Sequence, residues 1–226
     1  MSQELTILVP VYNEARTIES IMKVLVDTHP QAQLIYVDDG SIDGSLMLLR
    51  THARPQDVVL TKPNGGKGSA IRLGLEKAEG AYTVIQDADL EYDPAEIHGL
   101  LKAAKEGHAD IVFGSRFLRP NPNLYKRYLL GNKVITGLVN VLYGSRLTDS
   151  YTCYKLFRTD ILRSLPLTAR GFELEAELCA YPLKRKLPIH EIAISYHPRS
   201  LEEGKKIRFR DAWKGALTLW KIRLSR

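Results

Sequence analysis

The chain has 226 residues, 44% of them hydrophobic and 26% charged, a balance that supports one sizeable core and excludes a disordered, collagenous or coiled-coil chain. Its net charge of +6 sits at one end: residues 198–226 hold nine Lys/Arg against three Asp/Glu, and the remainder holds 23 of each sign. Residues 1–110 are acidic, with 17 Asp/Glu against 10 Lys/Arg, whereas residues 111–148 hold six bases and no acid.

Such charge suits nucleic acid, an anionic membrane or a phosphate-bearing small molecule. No helix-turn-helix, zinc-finger or RNP pattern accompanies it, so no nucleic-acid partner is expected. Cys153 and Cys179 lack CxxC spacing and read as reduced core thiols. The start MSQE leads into a strand without a basic-then-apolar leader, and no signal peptide is expected. The uncharged stretch Val134–Ser145 has 12 residues, short of the ~20 that span a bilayer. The expected location is therefore cytoplasmic, peripheral to the cytoplasmic face of a membrane.

In chain order, the β-branched run Leu5–Val11 precedes Ile18, Ile21, Met22 and Leu25 at helical spacing. The alternation recurs as Leu34–Val37 with Leu46–Leu49, Val58–Leu60 with Ile71–Ala78, Tyr82–Ile85 with Ile97–Ala104, and finally Ile111–Phe113. Continuous apolar strands alternating with amphipathic helices predict an α/β fold, a mostly parallel sheet covered on both faces. Ligands of such sheets bind beyond the carboxyl ends of the strands. Past residue 116 come a turn-rich stretch, Pro120–Asn123, the apolar segment Leu124–Tyr143, and a short extended piece over 149–158. A helix over Phe172–Leu183, a strand over Ile189–Tyr196 and a helix over Arg208–Ser225 complete the chain.

The strand ends carry the chemistry. They read Pro10-Val11-Tyr12-Asn13-Glu14, Asp38-Asp39-Gly40-Ser41, Asn64-Gly65-Gly66-Lys67-Gly68, Asp87-Ala88-Asp89-Leu90-Glu91 and Gly114-Ser115-Arg116. Asp87 and Asp89, two apart at a strand end, suit Mg²⁺ or Mn²⁺ held jointly with a diphosphate, and Glu91 can add a third oxygen. Asp38 or Asp39 can accept hydrogen bonds from a base or a ribose, or can simply form a turn with Asp43 capping the next helix. The glycine-rich stretch lacks P-loop spacing, which excludes that ATPase reading.

With Asp149 ahead of Thr152-Cys153, Glu177 in GFELEAE, and Arg199 before Glu203-Gly204-Lys205-Lys206, the ordered set resembles the family 2 glycosyltransferases of GT-A fold, nearest their dolichol-phosphate mannose synthase-like, polyprenyl-phosphate branch. The resemblance implies an inverting, metal-dependent hexosyltransferase. It places Pro10, Tyr12 and Glu14 at the base and ribose of a GDP- or UDP-sugar, with Asp38 or Asp39 beside them. Asp87, Ala88 and Asp89 fall at the sugar-diphosphate, with Asp87, Asp89 and Glu91 as metal ligands. Lys67, Arg116, Arg199 and Lys205 or Lys206 fall near the phosphates, and Glu177 joins Asp89, Arg116 and Arg199 in the catalytic set.

The acceptor divides the readings. A hydroxyl must lose its proton to a positioned carboxylate, whereas a polyprenyl phosphate is already ionised. Hydroxyl-directed members place Glu-Asp at the start of the acceptor-side helix, but here the stretch is Phe172-Glu173-Leu174-Glu175-Ala176-Glu177. A phosphate acceptor is therefore expected, with Glu173 or Glu175 as the base if the acceptor is a sugar hydroxyl in cell-envelope polysaccharide. A catalytically silent nucleotide-sugar-binding module is the reading of another class.

The expected domain covers 1–206, a donor half over 1–115 and an acceptor half over 116–206, followed by a basic amphipathic helix over 207–226. In the acceptor half, Arg119, Lys126, Arg127 and Lys133 join Arg116 as receivers of an anionic head. Leu129, Leu130, Val134, Ile135, Leu138, Val139 and Leu142 form either a surface for a lipid tail or an ordinary core face. In the tail, Ile207, Phe209, Trp213, Ala216, Leu217, Trp220 and Leu224 among bases suit a peripheral helix on an anionic membrane. The lack of a spanning segment leaves room for a small membrane-anchoring subunit.

Overall fold

The apolar runs of the first half form β1 (Leu5–Val11), β2 (Gln33–Asp38), β3 (Val58–Thr61), β4 (Tyr82–Ile85) and β5 (Ile111–Ser115). Helices α1 (Ile18–Thr28), α2 (Ser45–His52), α3 (Lys67–Leu75) and α4 (Ile97–Glu106) alternate with them. The second half adds α5 (Lys126–Tyr143), β6 (Lys155–Arg158), α6 (Thr159–Ser164), α7 (Leu174–Lys184), β7 (His190–Ala193) and α8 (Phe209–Leu224). This structure, a computed structural model, describes residues 3–121, 126–198 and 209–225, and for 126–129 and 209–212 the backbone only.

One seven-stranded sheet runs β3-β2-β1-β4-β6-β5-β7. All neighbouring pairs are parallel except those of β6, which runs antiparallel to both β4 and β5. Ile7, Leu8, Leu34, Ile35, Val84, Val112 and Phe113 are buried, because helices cover both faces of a parallel sheet. The 149–158 stretch thus supplies a central strand, and only its last four residues enter the sheet. The helix α6 directly after it is too short to show a period of its own.

The last strand is shorter than its alternating pattern predicts. The Ser195 N–H donates to the Glu96 carboxylate at 2.9 Å, and the His197 N–H to the Glu91 carbonyl at 2.9 Å. Donors captured in this way cannot continue a ladder.

Helices α5, α7 and α8 pack together. The Tyr143 hydroxyl donates to the Leu219 carbonyl at 2.7 Å, and Arg223 Nε to the Leu142 carbonyl at 2.8 Å. Gly215 lets α8 approach Tyr151, whose hydroxyl a Cβ would strike. The 207–226 segment, set apart by its charge, is thus docked on the body through its described part. In α5, Ile135 and Val139 are buried, while Leu130, Val134 and Val141 face solvent. The apolar set expected there divides between core and surface, with Leu138 and Leu142 packed against the core.

Candidate active site

Parallel register sets Val11 beside Asp38 and Leu8 beside Ile85, so the loops after β1, β2 and β4 open at one edge. The Asp39 N–H donates to the Val11 carbonyl at 2.8 Å, and the Thr17 hydroxyl to the Ala88 carbonyl at 2.7 Å. Asn13, at φ 53°, gives its N–H to the Ser41 hydroxyl and takes the Ile42 N–H on its side-chain oxygen, each at 2.9 Å. Pro10 is half-buried at this edge and Tyr12 is exposed. Glu14 is fixed through its N–H, which donates to the Ser45 hydroxyl at 2.9 Å. The expected nucleotide residues therefore meet at one place.

Asp38 and Asp39 are buried, and their carboxylates bind the loops together. Asp38 accepts from the Gly40 N–H at 3.2 Å and the Thr61 hydroxyl at 3.3 Å. Asp39 accepts from Lys62 Nζ at 2.7 Å and from the N–H groups of Gly65 and Gly66 at 2.9 and 2.6 Å. Any contact with a base or ribose shares these oxygens. Gly66, at φ 88°, and Gly68 lie against the backbone of 169–171, where a Cβ would strike the carbonyls of Arg170 and Ala169. The glycines of this loop thus allow close packing on the acceptor half.

Lys67 points toward the β4 edge. Its ammonium lies 2.8 Å from Asp87 and 3.1 Å from Glu175, and Glu175 also pairs with the fully buried Lys155. Asp87, Lys67, Glu175 and Lys155 form a ladder of alternating charge. Burial alone would pull the Lys67 ammonium down, but Asp87, Cys153 and Glu175 around it hold it well above the usual lysine value. Burial would likewise raise Asp87, and Lys67 outweighs this and lowers it. Cys153 lies 3.6 Å from Lys67, its thiol pushed up by burial. The expected reduced core thiol is also a neighbour of the site.

Ala88 is buried and Asp89 half-buried, the Asp89 Oδ1 accepting the Glu91 N–H at 3.1 Å. The Glu91 carboxylate turns inward to accept the Tyr196 hydroxyl at 2.5 Å. Among the described residues, no three His, Cys, Asp or Glu side chains gather around a point that could hold one ion. The expected Asp87, Asp89 and Glu91 triad is therefore not assembled: Asp87 is paired with Lys67, and Glu91 is drawn away by Tyr196. A hard cation that takes one carboxylate from the chain and fills its shell with diphosphate oxygens and water, as Mg²⁺ commonly does, needs no such triad. Asp89 fits that role.

Arg116, expected at the phosphates, is directed elsewhere. Its side chain is 6% exposed and grips the fully buried Asp149 through Nε at 2.6 Å and Nη2 at 2.8 Å. The guanidinium lies over the Tyr196 ring at 5.0 Å, which couples it to the Glu91 anchor. Glu177 is also structural, its carboxylate accepting from the N–H groups of Thr168 and Ala169 at 3.0 Å and from the Thr168 hydroxyl at 2.8 Å. Glu173 accepts from the N–H groups of Arg170 and Gly171 at 3.3 and 3.2 Å. Burial pushes its carboxyl up, and its own N–H, together with these two donors and the nearby Lys214, outweighs that and holds it below the usual range. Arg199, Lys205 and Lys206 lie outside the described residues, as do the side chains of Lys126 and Arg127.

The sequence reading gave no role to Lys155, Tyr196 or Glu191. The Glu191 carboxylate accepts the N–H groups of Thr148 and Asp149 at 2.8 and 3.0 Å and so holds the partner of Arg116. Lys155 did leave a signal: a charge heading the strand Lys155–Arg158 needs a partner once buried. Tyr196, one apolar position among several, left none.

The sequence model of the family described as Glycosyl transferase family 2 matches residues 6–165. The chain is 29% identical over 220 residues to the low-salt glycan biosynthesis hexosyltransferase Agl6 of Haloferax volcanii, covering 93% of this chain and 51% of that protein. It is 28% identical over 215 residues to the dodecaprenyl-phosphate galacturonate synthase of Rhizobium johnstonii, covering 88% and 60%. The chain spans between about half and two thirds of the length of these curated relatives. Glucosyl-3-phosphoglycerate synthase from Mycobacterium tuberculosis, solved with Mn²⁺, UDP and phosphoglyceric acid, superposes with a TM-score of 0.78 at 19% identity, covering 99% of this chain and 80% of that one. The fold is the GT-A fold.

Proposed function

The chain belongs to glycosyl transferase family 2, and on that premise we propose that it moves a hexose from a GDP- or UDP-sugar to a polyprenyl phosphate, with inversion, at the cytoplasmic face of a membrane. An oxygen of the acceptor phosphate forms the new bond to the anomeric carbon from the face opposite the donor diphosphate. The bond to that diphosphate breaks, and the nucleoside diphosphate leaves with the electron pair. Tyr12, Glu14 and the loops anchored by Asp38 and Asp39 line the nucleotide side. Asp89 would hold Mg²⁺ or Mn²⁺, which supplies positive charge to the departing diphosphate. Asp87, neutralised by Lys67, sets the position of that loop. Arg199 and Lys205 or Lys206 stay proposed as donor-phosphate contacts.

One observation carries the choice of acceptor: every glutamate of the 172–177 stretch is engaged by donors of the protein. Glu175 bridges two lysines, Glu177 holds the 168–169 backbone, and Glu173 accepts two N–H groups. Glu173, held below the ordinary carboxylate range, is a weak proton acceptor. An acceptor that needs no deprotonation suits this arrangement, and the lipid-phosphate relative supports it.

Glu173→Gln is expected to leave transfer to polyprenyl phosphate within about threefold of wild type, since a general base contributes about 10²- to 10⁴-fold. Initial rates with radiolabelled donor check this. A loss of about 10²-fold or more, without a change in stability, would make Glu173 the base of a hydroxyl-directed reaction.

A further inference from the structure

The body-facing side of α8 carries Gly215, Leu219 and Ile222, all buried. The opposite side is also apolar. Trp213, Leu217, Trp220 and Leu224 are 64%, 43%, 48% and 75% exposed. Spaced four, three and four residues apart, they form one stripe along the helix. Helical geometry puts Lys214 and Lys221 along one flank and Arg223 along the other. Neighbouring α5 shows solvent a second stripe, Leu130, Val134 and Val141, from a helix that contains no acidic residue.

We propose that the outer faces of α8 and α5 dock the enzyme on an anionic lipid bilayer, with the α8 stripe in the headgroup–acyl boundary and its flanking cations on lipid phosphates. This deepens the membrane location given above, but does not depend on which molecule accepts the sugar. A central apolar stripe with two indoles and cations on both flanks has the pattern of an interfacial helix. Charge decides between occupants. A second copy would bring cationic flanks against cationic flanks, whereas an anionic surface complements both at once.

Trp213 and Trp220 are the only two tryptophans of the chain, so its indole emission reports on this stripe alone. Full-length protein is titrated with phosphatidylglycerol–phosphatidylcholine vesicles containing no polyprenyl phosphate. The expected results are a blue shift of the emission, quenching by lipids brominated on the acyl chain, and little response to pure phosphatidylcholine. Lys214→Gln with Lys221→Gln should weaken binding by about thirtyfold, at roughly a factor of five per cation. Trp213→Ser with Trp220→Ser should abolish sedimentation with vesicles, while transfer to a short-chain, water-soluble polyprenyl phosphate stays at the wild-type rate. Unchanged emission at saturating anionic vesicles overturns the proposal, and so does a lipid-free dimer that shields the indoles. Docking without transfer to any lipid phosphate would leave this surface standing and remove the acceptor.

Discussion

Asp89→Asn is expected to lower the transfer rate by about 10³-fold, the upper end of what losing one transition-state charge partner commonly costs. Asparagine keeps a side-chain oxygen that can accept the Glu91 N–H, as Asp89 does at 3.1 Å. The turn should therefore survive, and the change removes a charge rather than a fold element. The loss should fall on the turnover number at saturating donor, because the leaving diphosphate gains negative charge as its bond breaks. The curve of rate against Mn²⁺ should also move to higher concentration. A variant with wild-type turnover and unchanged metal dependence would take Asp89 out of the site and leave the β4 edge without a cation ligand.

Asp149→Ala is expected to destabilise the fold by about 3–5 kcal/mol, the usual cost of removing one partner of a buried ion pair. The Arg116 guanidinium would be left among Phe117, Tyr196 and Tyr92 without a counter-charge. Its charge cannot be shed, because Arg stays protonated in proteins. Replacing both residues, with Arg116→Met beside Asp149→Leu, should recover much of the loss, as apolar pairs often match buried ion pairs. Urea unfolding of the four proteins reads this directly. An Arg116→Met variant with wild-type stability and a raised donor KM would show instead that Arg116 serves the phosphates.

The strand–helix alternation of the first half was legible because β1, β2, β4 and β5 are buried on both faces and each helix on one, while β3, at the sheet edge, is half-buried but still a continuous apolar run. Period and composition report burial of that kind. The strand-end motifs also told where to look: Tyr12, Asp38, Asp39, Asp87 and Asp89 come from distant stretches to one edge. Their division of labour was hidden. Whether a carboxylate faces a ligand or a lysine depends on partners far away in sequence, as with Lys67 and Glu175 or Arg116 and Asp149. The antiparallel insertion of β6 was hidden too, since a four-residue strand carries no mark of its direction. The tail was half legible: its charge, its indoles and one or two apolar faces point to a surface helix, but only the structure tells which face is docked on α5 and α7 and which is exposed.

The most direct test of the central claim is the partition of label after incubation with radiolabelled GDP- and UDP-sugars, Mn²⁺ and polyprenyl phosphate in detergent. With one of these donors, label is predicted to enter the organic phase as a glycosyl ester of the lipid phosphate, labile to mild acid, in an amount equal to the nucleoside diphosphate released. Label that stays in the aqueous phase with every donor, yet passes to an oligosaccharide hydroxyl, would contradict the account.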